Sequence, residues 1–408
     1  MRSSGVAFEP AVGRGRFDHM VELRREFHRH PELAFEERET ARRVMGELEK
    51  LGIPYDYDGV GSGVVGRLRG GGSGAPVVAL RAEMDALPGT ETTGLSFAPD
   101  EPGKMHACGH DAHMAMVLGA ASMLVEDPPE GDVVFVFQPA EEKGGGSRKV
   151  LESGHVDDVE AIFAVHVTHH YDLGEMMVKD GVVTAQSDAF YVDITGKGGH
   201  GARPHEAIDA VIIAGSFINT IQTLVSREVD PLHPSVVTIG EVHAGSAPNV
   251  IAETARLTGT IRTTLSPIRE HIHKGMRRTA DALSALHNAS IDIEIREGYP
   301  PVQNTAEETE WAREAAAEIV GADNLKDAEH PSMGAEDFSF FLQKIPGVYA
   351  RLGARLPECE YIPLHSPAFD IDERALDIGA RYFDRVARKA IAKIETGDLE
   401  STGGRPRG

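Results

Sequence analysis

Short apolar runs alternate with a helical segment in the first half of the chain, and this alternation constrains the fold more than any other feature. The runs that predict buried strands are VVAL at 77–80, GDVVFVF at 131–137 and AIFAVHV at 161–167, and AMVLGAASMLVE at 115–126 predicts a helix. Strands that alternate with helices build an α/β domain with a largely parallel sheet. The polar residues just beyond these strands lie where open α/β sheets bind their ligands.

Near residue 188 the pattern changes. The predicted elements from there to 299 follow the order strand, helix, strand, strand, helix, strand, which is the ferredoxin-like arrangement. From residue 300 the mixture of helices and strands returns. The sequence therefore predicts a discontinuous larger domain, residues 17–187 and 300–395, with an inserted domain at 188–299 and flexible tails at 1–16 and 396–408.

The charge balance excludes two classes of partner. The 408 residues contain 41 Lys plus Arg against 64 Asp plus Glu, a formal net charge of −23. Because nucleic acids and anionic membrane surfaces attract positive charge, we expect this chain to bind neither. Two cysteines allow at most one disulfide, and no apolar run approaches the roughly 20 residues of a membrane span. The N-terminus also lacks the apolar core of a secretory signal, so we expect a cytoplasmic protein.

The stretch MHACGHDAH, residues 105–113, is the densest group of metal-binding residue types in the chain. Cys108 and His110 are two positions apart, so on a loop or at a strand end both side chains can face one ion. A thiolate and an imidazole together suit zinc, manganese, cobalt or nickel better than magnesium or calcium. A buried, inert cysteine beside structural histidines is the alternative that this spacing leaves open.

Three more places carry residues of the same kind. Glu141 and Glu142 follow the apolar run VVFVF and precede a glycine run, His166 ends another apolar run, and His365 lies between two prolines. Adjacent carboxylates at a strand end can divide labour, one coordinating a metal while the other takes a proton from a metal-activated water. Taken singly, each place is as well explained by a solvated loop or a structural histidine.

Together, these places resemble one family. The chain is similar to the M20 metallopeptidases, and among them to the N-acyl-amino-acid amidohydrolases, which include the hippurate hydrolases. The shared motifs are, in chain order, FHRHPELAFEE, RAEMDALP, MHACGHDAHMA, QPAEE, GKGGHGARPH, APNVI, GTIR, YPPVQN, GAEDFSFF and LHSPAFDIDE. The resemblance covers nearly all the chain between about 20 and 395, and so many ordered motifs rarely agree by chance.

The resemblance implies a fold, a site and a reaction. The fold is a zinc-peptidase-like catalytic domain with a mixed, largely parallel sheet, and the insert serves as a lid and as the surface of a homodimer. The implied ligands of two divalent ions are Cys108, His110, Glu142, His166 and His365, with Cys108 as the bridging ligand and Glu141 as the general base. The implied reaction is hydrolysis of the amide bond of a small N-acyl-amino acid (N-acetyl, N-benzoyl or similar) to a carboxylate and a free amino acid.

The same resemblance gives roles to residues outside the metal site. His200 matches a histidine that helps to stabilise the tetrahedral oxyanion, in its own subunit or across a dimer interface. Asn249 and Arg262 match positions tied to substrate binding, and Arg262 can hold a carboxylate with two hydrogen bonds. Gly334 belongs to a loop that lines the site. An exposed turn histidine and a surface ion pair are the plainer interpretations of His200 and Arg262.

The other polar residues near the ligands are expected to support them. We expect His106 to be a supporting or structural residue and His113 to be buried and hydrogen-bonded. We expect Asp85 and Asp111 to orient ligating groups or loops, because metal-bound histidines usually need an acceptor for the second nitrogen.

The chain departs from the family pattern at a few positions. Glu83 stands where aspartate is common, and Lys143 follows the glutamate pair where glycine is commoner. His169 and His170 lie close to His166, so the choice of His166 rests on the resemblance and on its expected position at a strand end. None of these departures removes a proposed ligand, and they bear on substrate preference.

Other functions stay open at this point. A dipeptidase or aminopeptidase on the same scaffold would require a free α-amine on its substrates. A non-catalytic metal-dependent binding protein would leave Glu141 without a role. A thiol hydrolase would use Cys108 as its nucleophile, with His110 or His113 as the base, and would work without metal.

Overall fold

The structure, a computed structural model, describes residues 8–397 except 60, 62, 329 and 358. The described residues fall into two compact units. The first contains those within 1–181, 303–329 and 337–408, and the second contains those within 182–302 and 330–336. The second unit is therefore larger than the predicted insert of 188–299. It takes in residues 330–336 because Ser332 pairs with the backbone of 183–185 through two hydrogen bonds of 2.7 and 2.9 Å.

The α-helices of the described residues are, in chain order, α1 (Arg14–Arg29), α2 (Arg38–Lys50), α3 (His110–Glu126), α4 (Gly146–Ser153), α5 (Ala210–Thr223), α6 (Ser266–His287), α7 (Ala306–Val320), α8 (Phe338–Leu342) and α9 (Ala375–Thr396). The strands are β1 (Tyr55–Asp56), β2 (Val64–Leu68), β3 (Val77–Glu83), β4 (Leu87–Gly89), β5 (Gly103–Met105), β6 (Asp132–Gln138), β7 (Ala161–Asp172), β8 (Met176–Met177), β9 (Gly181–Val182), β10 (Gln186–Thr195), β11 (Gly199–His200), β12 (Ser235–Ala244), β13 (Val250–Ile251), β14 (Thr254–Thr263), β15 (Ser290–Glu297), β16 (Gln303–Asn304), β17 (Leu325–Lys326) and β18 (Gly347–Arg355).

The first unit is built on a large mixed sheet. Its strand order is β1-β2-β6-β3-β7-β18-β8-β17. β3 runs parallel to β6 and β7, and β7 runs parallel to β18, whereas β2 is antiparallel to β6. Every residue of β3 and β6 is buried, as expected for strands covered on both faces. The prediction of an α/β fold with a largely parallel sheet is confirmed.

Helix α3 is held deep in the first unit by close packing against two other helices. A Cβ atom at Gly119 would lie 2.1 Å from Met20 Sδ of α1 and 3.1 Å from Ala380 Cβ of α9, so the three helices approach closely at this glycine. Most of α3 is buried, including His110 at its first position. The packing therefore fixes where the N-terminus of α3 lies.

The start of the chain is more ordered than its composition predicts. Pro31 separates α1 from α2 as expected, since proline cannot continue a helix. However, α1 begins at Arg14, inside the predicted tail of 1–16. Val12 is buried and its N–H donates a hydrogen bond of 2.9 Å to Asp377 Oδ1. The prediction of a flexible tail is therefore wrong for residues 8–16, while 1–7 and 398–408 lie outside the described residues.

The second unit carries the predicted order of strand, helix, strand, strand, helix, strand. The elements are β10, α5, β12, β14, α6 and β15, and the sheet has the order β12-β14-β10-β15 with antiparallel neighbours throughout. Buried apolar residues from both helices and the sheet form its core, including Phe190, Phe217, Leu257, Ile272 and Met276. Helix α6 begins at Ser266, and Leu265 is its N-cap.

One helical segment of the second unit meets the length and composition expected of a membrane span. It covers Ala210–Glu228 and its most apolar window has a mean hydropathy of 1.2. The expectation that no apolar run approaches a span is therefore too strict. Ile213, Phe217 and Ile221 of this segment are buried in the core of the second unit. A third of the apolar window is buried in this way.

Candidate metal centre

Two loops of the first unit leave the large sheet side by side. β3 ends at Glu83 and β6 ends at Gln138, and these two residues pair in parallel register. Because the two strands point the same way, the loop that carries Asp85 and the loop that carries Glu141 and Glu142 emerge at the same edge of the sheet. This edge is where the sequence predicts polar ligands.

The N-terminus of α3 brings Cys108 and His110 to the same edge. Gly109, between them, has a φ of 86°, and a Cβ atom there would lie 2.3 Å from Val167 Cγ2 of β7. Glycine is required for both the conformation and the close approach. His110 is the first residue of the helix rather than a loop residue as expected, and His113 lies within the first turn rather than before it.

His110 and His166 are oriented with their Nε2 atoms available. His110 Nδ1 lies 2.8 Å from Asp85 O, and His166 Nδ1 lies 2.8 Å from Val167 O. Because a carbonyl only accepts, each Nδ1 carries a proton, and in the neutral imidazole each Nε2 presents a lone pair. His110 Nε2 is buried without a hydrogen-bond partner among the described residues, and His166 Nε2 lies 3.3 Å from Cys108 Sγ. Metal-ligating histidines are oriented in this way by their second nitrogen.

Glu142 and His365 form the other side of the site. Glu142 Oε1 lies 3.1 Å from His365 Nε2. The N–H of Glu142 donates to Asp85 Oδ2 over 2.9 Å, and the N–H of His365 donates to Ala107 O over 2.8 Å. Asp85 thus contacts both His110, through its carbonyl, and the backbone of Glu142, which is the orienting role expected of it.

The donor atoms group into two overlapping sets. Those of Cys108, His110 and His166 lie within 4.8 Å of one another, and so do those of Cys108, Glu142 and His365. Glu141 is buried and shares a third such group with His110 and Glu142. Cys108 is common to the first two sets, so the thiol sits where a bridging ligand is expected.

The electrostatics of the protein atoms suit a cation. Burial lowers the pKa of His110, but its hydrogen bond to Asp85 and the charges of Glu83 and Glu142 outweigh this and raise it to about 10. Burial raises the pKa of the Cys108 thiol, and the nearby glutamates raise it further. An excess of negative charge around buried, unpaired donor atoms is what a divalent ion compensates. The residues present therefore fit a metal site.

A buried network of hydrogen bonds and ion pairs next to the site was not predicted from the sequence. His113 Nδ1 lies 2.8 Å from Glu83 Oε2, and His113 Nε2 accepts a hydrogen bond of 3.0 Å from Val167 N–H. Both nitrogens are engaged, so His113 is the buried, hydrogen-bonded residue that was expected. Glu83 also pairs with Arg81, which binds Asp337 over 2.9 Å. Burial raises the pKa of Glu83, but Arg81 and His113 outweigh it and hold the pKa well below its usual range.

The three histidines of β7 have different contacts. β7 extends to Asp172, so His166 lies within the strand and not at its end, although pairing with β3 stops at Ala164. His169 Nε2 donates to Asp370 O over 2.7 Å, and its Nδ1 accepts from the backbone of the loop that leads to His365. His170 contacts Tyr361 at the surface. Only His166 of the three belongs to a donor group among the described residues.

His106 and Asp111 lie on the opposite flank of the 105–113 segment. Burial lowers the pKa of His106 to about 3, and neither of its nitrogens has a hydrogen-bond partner among the described residues. Asp111 accepts hydrogen bonds of 2.9 Å from Arg24 and from His28. Asp111 therefore anchors α1 to the start of α3 and belongs to no donor group of the described residues.

The predicted residues of the second unit are placed as follows. β11 pairs with β13, and Gly201 N–H donates to Asn249 O over 2.8 Å, so His200 and Asn249 lie on adjacent segments. His200 Nδ1 accepts from Ala202 N–H at 3.1 Å, which directs the proton to Nε2. Arg262 lies on β14, and its side chain forms no hydrogen bond or ion pair with the described residues. Gly334 is exposed.

Fold and site together define a metal-dependent hydrolase with an α/β fold. The model of the peptidase family M20/M25/M40 matches residues 79–389. The chain belongs to this family, and it is an enzyme.

Three characterised relatives resemble the chain over most of its length. IAA-amino acid hydrolase ILR1-like 4 of Arabidopsis thaliana is 40% identical over 398 residues, covering 95% of this chain and 89% of that protein. Thermostable carboxypeptidase 1 of Saccharolobus solfataricus is 39% identical over 372 residues, covering 89% and 93%. N-acetylcysteine deacetylase of Bacillus subtilis is 39% identical over 380 residues, covering 92% and 97%.

A solved structure is similar over most of the chain. The YXEP protein of Bacillus subtilis, described as a dinuclear metal binding peptidase from the M20 family, superposes with a TM-score of 0.80 at 34% identity. The match covers 93% of this chain and 99% of that one.

Proposed function

We propose that the protein hydrolyses the amide bond of N-acyl-amino acids and releases a carboxylate and a free amino acid. The observation that carries this proposal is the placement of Glu141 beside two donor groups that share Cys108. Relatives named as an IAA-amino acid hydrolase and an N-acetylcysteine deacetylase support the substrate class.

The proposed metal ligands are Cys108, His110, Glu142, His166 and His365. We propose two ions, because the group of Cys108, His110 and His166 and the group of Cys108, Glu142 and His365 share only the thiol of Cys108. We propose zinc, manganese, cobalt or nickel, because a thiolate and imidazoles suit these metals. When bound, such ions supply positive charge that polarises the scissile carbonyl and lowers the pKa of a water molecule.

Glu141 is proposed as the general base. Its Oε1 lies 3.4 Å from the N–H of Asp337, and the side chain is buried. A carboxylate so held takes the proton of the attacking water and later gives it to the leaving nitrogen. The amine then departs as a neutral group and the acyl part as a carboxylic acid, which gives its remaining proton to solvent and becomes the carboxylate.

The second unit is proposed to contribute recognition. His200, whose Nε2 carries the proton, donates to the oxyanion of the tetrahedral intermediate, in its own chain or in a second copy. Arg262 binds the carboxylate of the amino acid. Its guanidinium is partly buried and forms no ion pair with the described residues, and burial lowers its pKa against the opposing influence of the Asp188 charge. Asn249 and Gly334 keep their proposed substrate-binding roles.

A homodimer through residues 188–299 remains part of the proposal. β12 forms an edge of the four-stranded sheet and exposes Val236 and Val242. An open edge strand with exposed apolar residues is a template for pairing with a second copy. A fully active monomer in light scattering would refute the dimer. The two thiols, Cys108 and Cys359, are both free, which fits the cytoplasm as the proposed location.

A peptidase is the second candidate function. The relative named Thermostable carboxypeptidase 1 favours it, because it is 39% identical and matches 89% of this chain. A dipeptidase or aminopeptidase would turn over substrates with a free α-amine and leave N-acetyl and N-benzoyl amino acids intact.

The test of the proposed function combines metal content with hydrolysis on one preparation. We would assay N-acetyl and N-benzoyl amino acids before metal removal, after removal, and after return of each candidate ion. We expect about two ions per chain and activity that is lost and regained with them. Glu141→Gln should retain the metal and lose activity by several orders of magnitude, whereas Glu39→Gln, at an exposed glutamate of α2, should change neither. Full activity in metal-free protein would overturn the proposal and favour Cys108 as a nucleophile.

A further inference from the structure

The segment between α1 and α2 is fastened to both loops of the metal centre. Ala86 N–H donates to Glu32 O over 2.7 Å, and Leu33 forms a parallel bridge with Ala86. Ala140 N–H donates to Glu37 Oε1 over 2.8 Å. Ala86 follows Asp85, and Ala140 precedes Glu141. The segment is therefore fixed at the edge of the sheet where the metal ligands lie.

Phe35 is the residue of this segment with an unusual backbone. Its φ is 63°, in the left-handed region that bulky residues rarely adopt. Of the described non-glycine residues, those with positive φ are Phe35, Ala140, Asn288 and His365. Ala140 and His365 both belong to the metal centre, since one precedes Glu141 and the other is a proposed ligand. Backbone strain collects at functional sites, where the surrounding structure holds it in place.

The ring of Phe35 lies against the loop that carries the glutamates. A Cβ atom at Gly144 would be 2.5 Å from Phe35 Cε2, and Gly144 has a φ of 122°, so this contact depends on glycine. Gly144 is two positions after Glu142. Phe35 nevertheless remains 38% exposed, so part of this apolar residue is left uncovered next to the loop that carries Glu141 and Glu142.

We propose that Phe35 forms an apolar wall of the site for the acyl group and directs the enzyme toward N-acyl-amino acids with aromatic acyl groups. A phenyl ring has no donor for a carboxylate, whereas it gains apolar contact and a favourable ring–ring geometry with a benzoyl group. The wall therefore suits the acyl end of the substrate and not the amino-acid end. This inference rests on the proposed hydrolysis of N-acyl-amino acids and names the acyl group that this site prefers.

The test uses binding as well as turnover, so that the two proposals can fail separately. The probes are benzoate and acetate, which represent the aromatic and the small acyl product, and their dissociation constants are measured by calorimetry on metal-loaded protein. In parallel, kcat/KM is measured for the N-benzoyl and N-acetyl forms of one amino acid. The variants are Phe35→Ala and Phe35→Leu. The control is Phe8→Ala, at a phenylalanine that is 36% exposed and contacts Phe17.

We expect Phe35→Ala to lower the benzoate-to-acetate preference roughly two- to tenfold, with the metal content unchanged. Phe35→Leu should fall between this variant and the wild type, and Phe8→Ala should match the wild type. An unchanged preference in Phe35→Ala that still binds its metal would overturn the inference, and Phe35→Leu decides the matter if Phe35→Ala does not fold. Phe35-dependent binding of benzoate without hydrolysis of either substrate would retain the wall and refute the proposed reaction.

Discussion

His113 Nδ1 donates a hydrogen bond of 2.8 Å to Glu83 Oε2, and neither side chain reaches solvent. Glu83 also pairs with the buried guanidinium of Arg81. The carboxylate thus links β3 to the start of α3, directly beneath the proposed metal ligands. One carboxylate of Glu83 thus contacts both Arg81 and His113.

Removal of the Glu83 carboxylate should destabilise the metal-free protein. Glu83→Ala leaves the buried guanidinium of Arg81 without one of its acidic partners. We therefore expect a loss of about 3–5 kcal/mol in the free energy of unfolding, measured by urea denaturation. Glu83→Asp retains the charge with a shorter reach and should lose less. Glu39→Ala removes an exposed ion pair with Arg42 and should cost less than about 1 kcal/mol. Equal losses in Glu83→Ala and Glu39→Ala would contradict the role of the network.

The positions of many site residues could be predicted from the sequence, because these residues follow recognisable strands. The strands at 77–83 and 132–138 are buried at every position and their central residues are mostly apolar, so their ends could be predicted, and parallel strands bring their ends to one edge. The roles of Cys108, His110 and Glu142 as ligands stay predictions, but the structure brings their donor atoms together.

The features that the sequence did not predict depend on contacts between residues that are far apart in the chain. His166 lies within a strand because β18 continues the pairing of β7 beyond the point where β3 stops, and β18 is some 180 residues later. His110 begins a helix because α3 packs on α1 and α9. The contact between Phe35 and Gly144 likewise joins segments with no local pattern in common. Hydrophobic periodicity indicates local secondary structure, and it does not predict such contacts.

Metal removal should lower thermal stability. In the proposed site, the buried donors of Cys108 and His110 and the carboxylate of Glu142 would lose their divalent ions when the metal is removed. An ion that binds only the folded state stabilises it by mass action, so the unfolding temperature should rise steadily with free metal concentration. Thermal scans of chelated protein with added zinc or manganese check this.

The thermal test has its own control. Cys108→Ser weakens the ligand shared by the two donor groups, so the metal-dependent rise should shrink in this variant. The exposed thiol of Cys359 belongs to no donor group of the described residues, and Cys359→Ser should behave as the wild type. A rise of equal size in both variants would argue against Cys108 as a ligand.

His28 should make stability fall at alkaline pH. Burial lowers its pKa, but hydrogen bonds of 2.9 Å to Asp111 and to Glu91 outweigh burial and raise the pKa to about 9. Because the pKa is higher in the folded state than in the unfolded state, the stabilisation is fully present below pH 6.5. It is lost as the pH rises through about 9. The full contribution is about 3 kcal/mol.

The measurement is the difference in unfolding free energy between the wild type and His28→Gln, followed from pH 6 to pH 10. The difference should be constant up to about pH 6.5 and then shrink toward pH 9. His205→Gln, at an exposed histidine of the second unit, controls for the loss of an imidazole as such. A difference that grows with pH would reverse the sign and refute the assignment.

Arg262 should matter to substrates through their carboxylate. Its guanidinium is partly buried and has no acidic partner among the described residues, so a bound carboxylate would supply one. Arg262→Ala should lower kcat/KM for an N-acyl-amino acid by about ten- to a hundredfold, as expected for loss of a hydrogen-bonded ion pair, and mostly through KM. Arg256→Ala, on the same strand but more than half exposed and 3.7 Å from Asp193, is the matched control and should have little effect.

The same amino acid with its carboxylate amidated should be a poor substrate of the wild type and should lose little further kcat/KM in Arg262→Ala. If both substrates lose kcat/KM equally, Arg262 serves the fold of β14 and not the carboxylate.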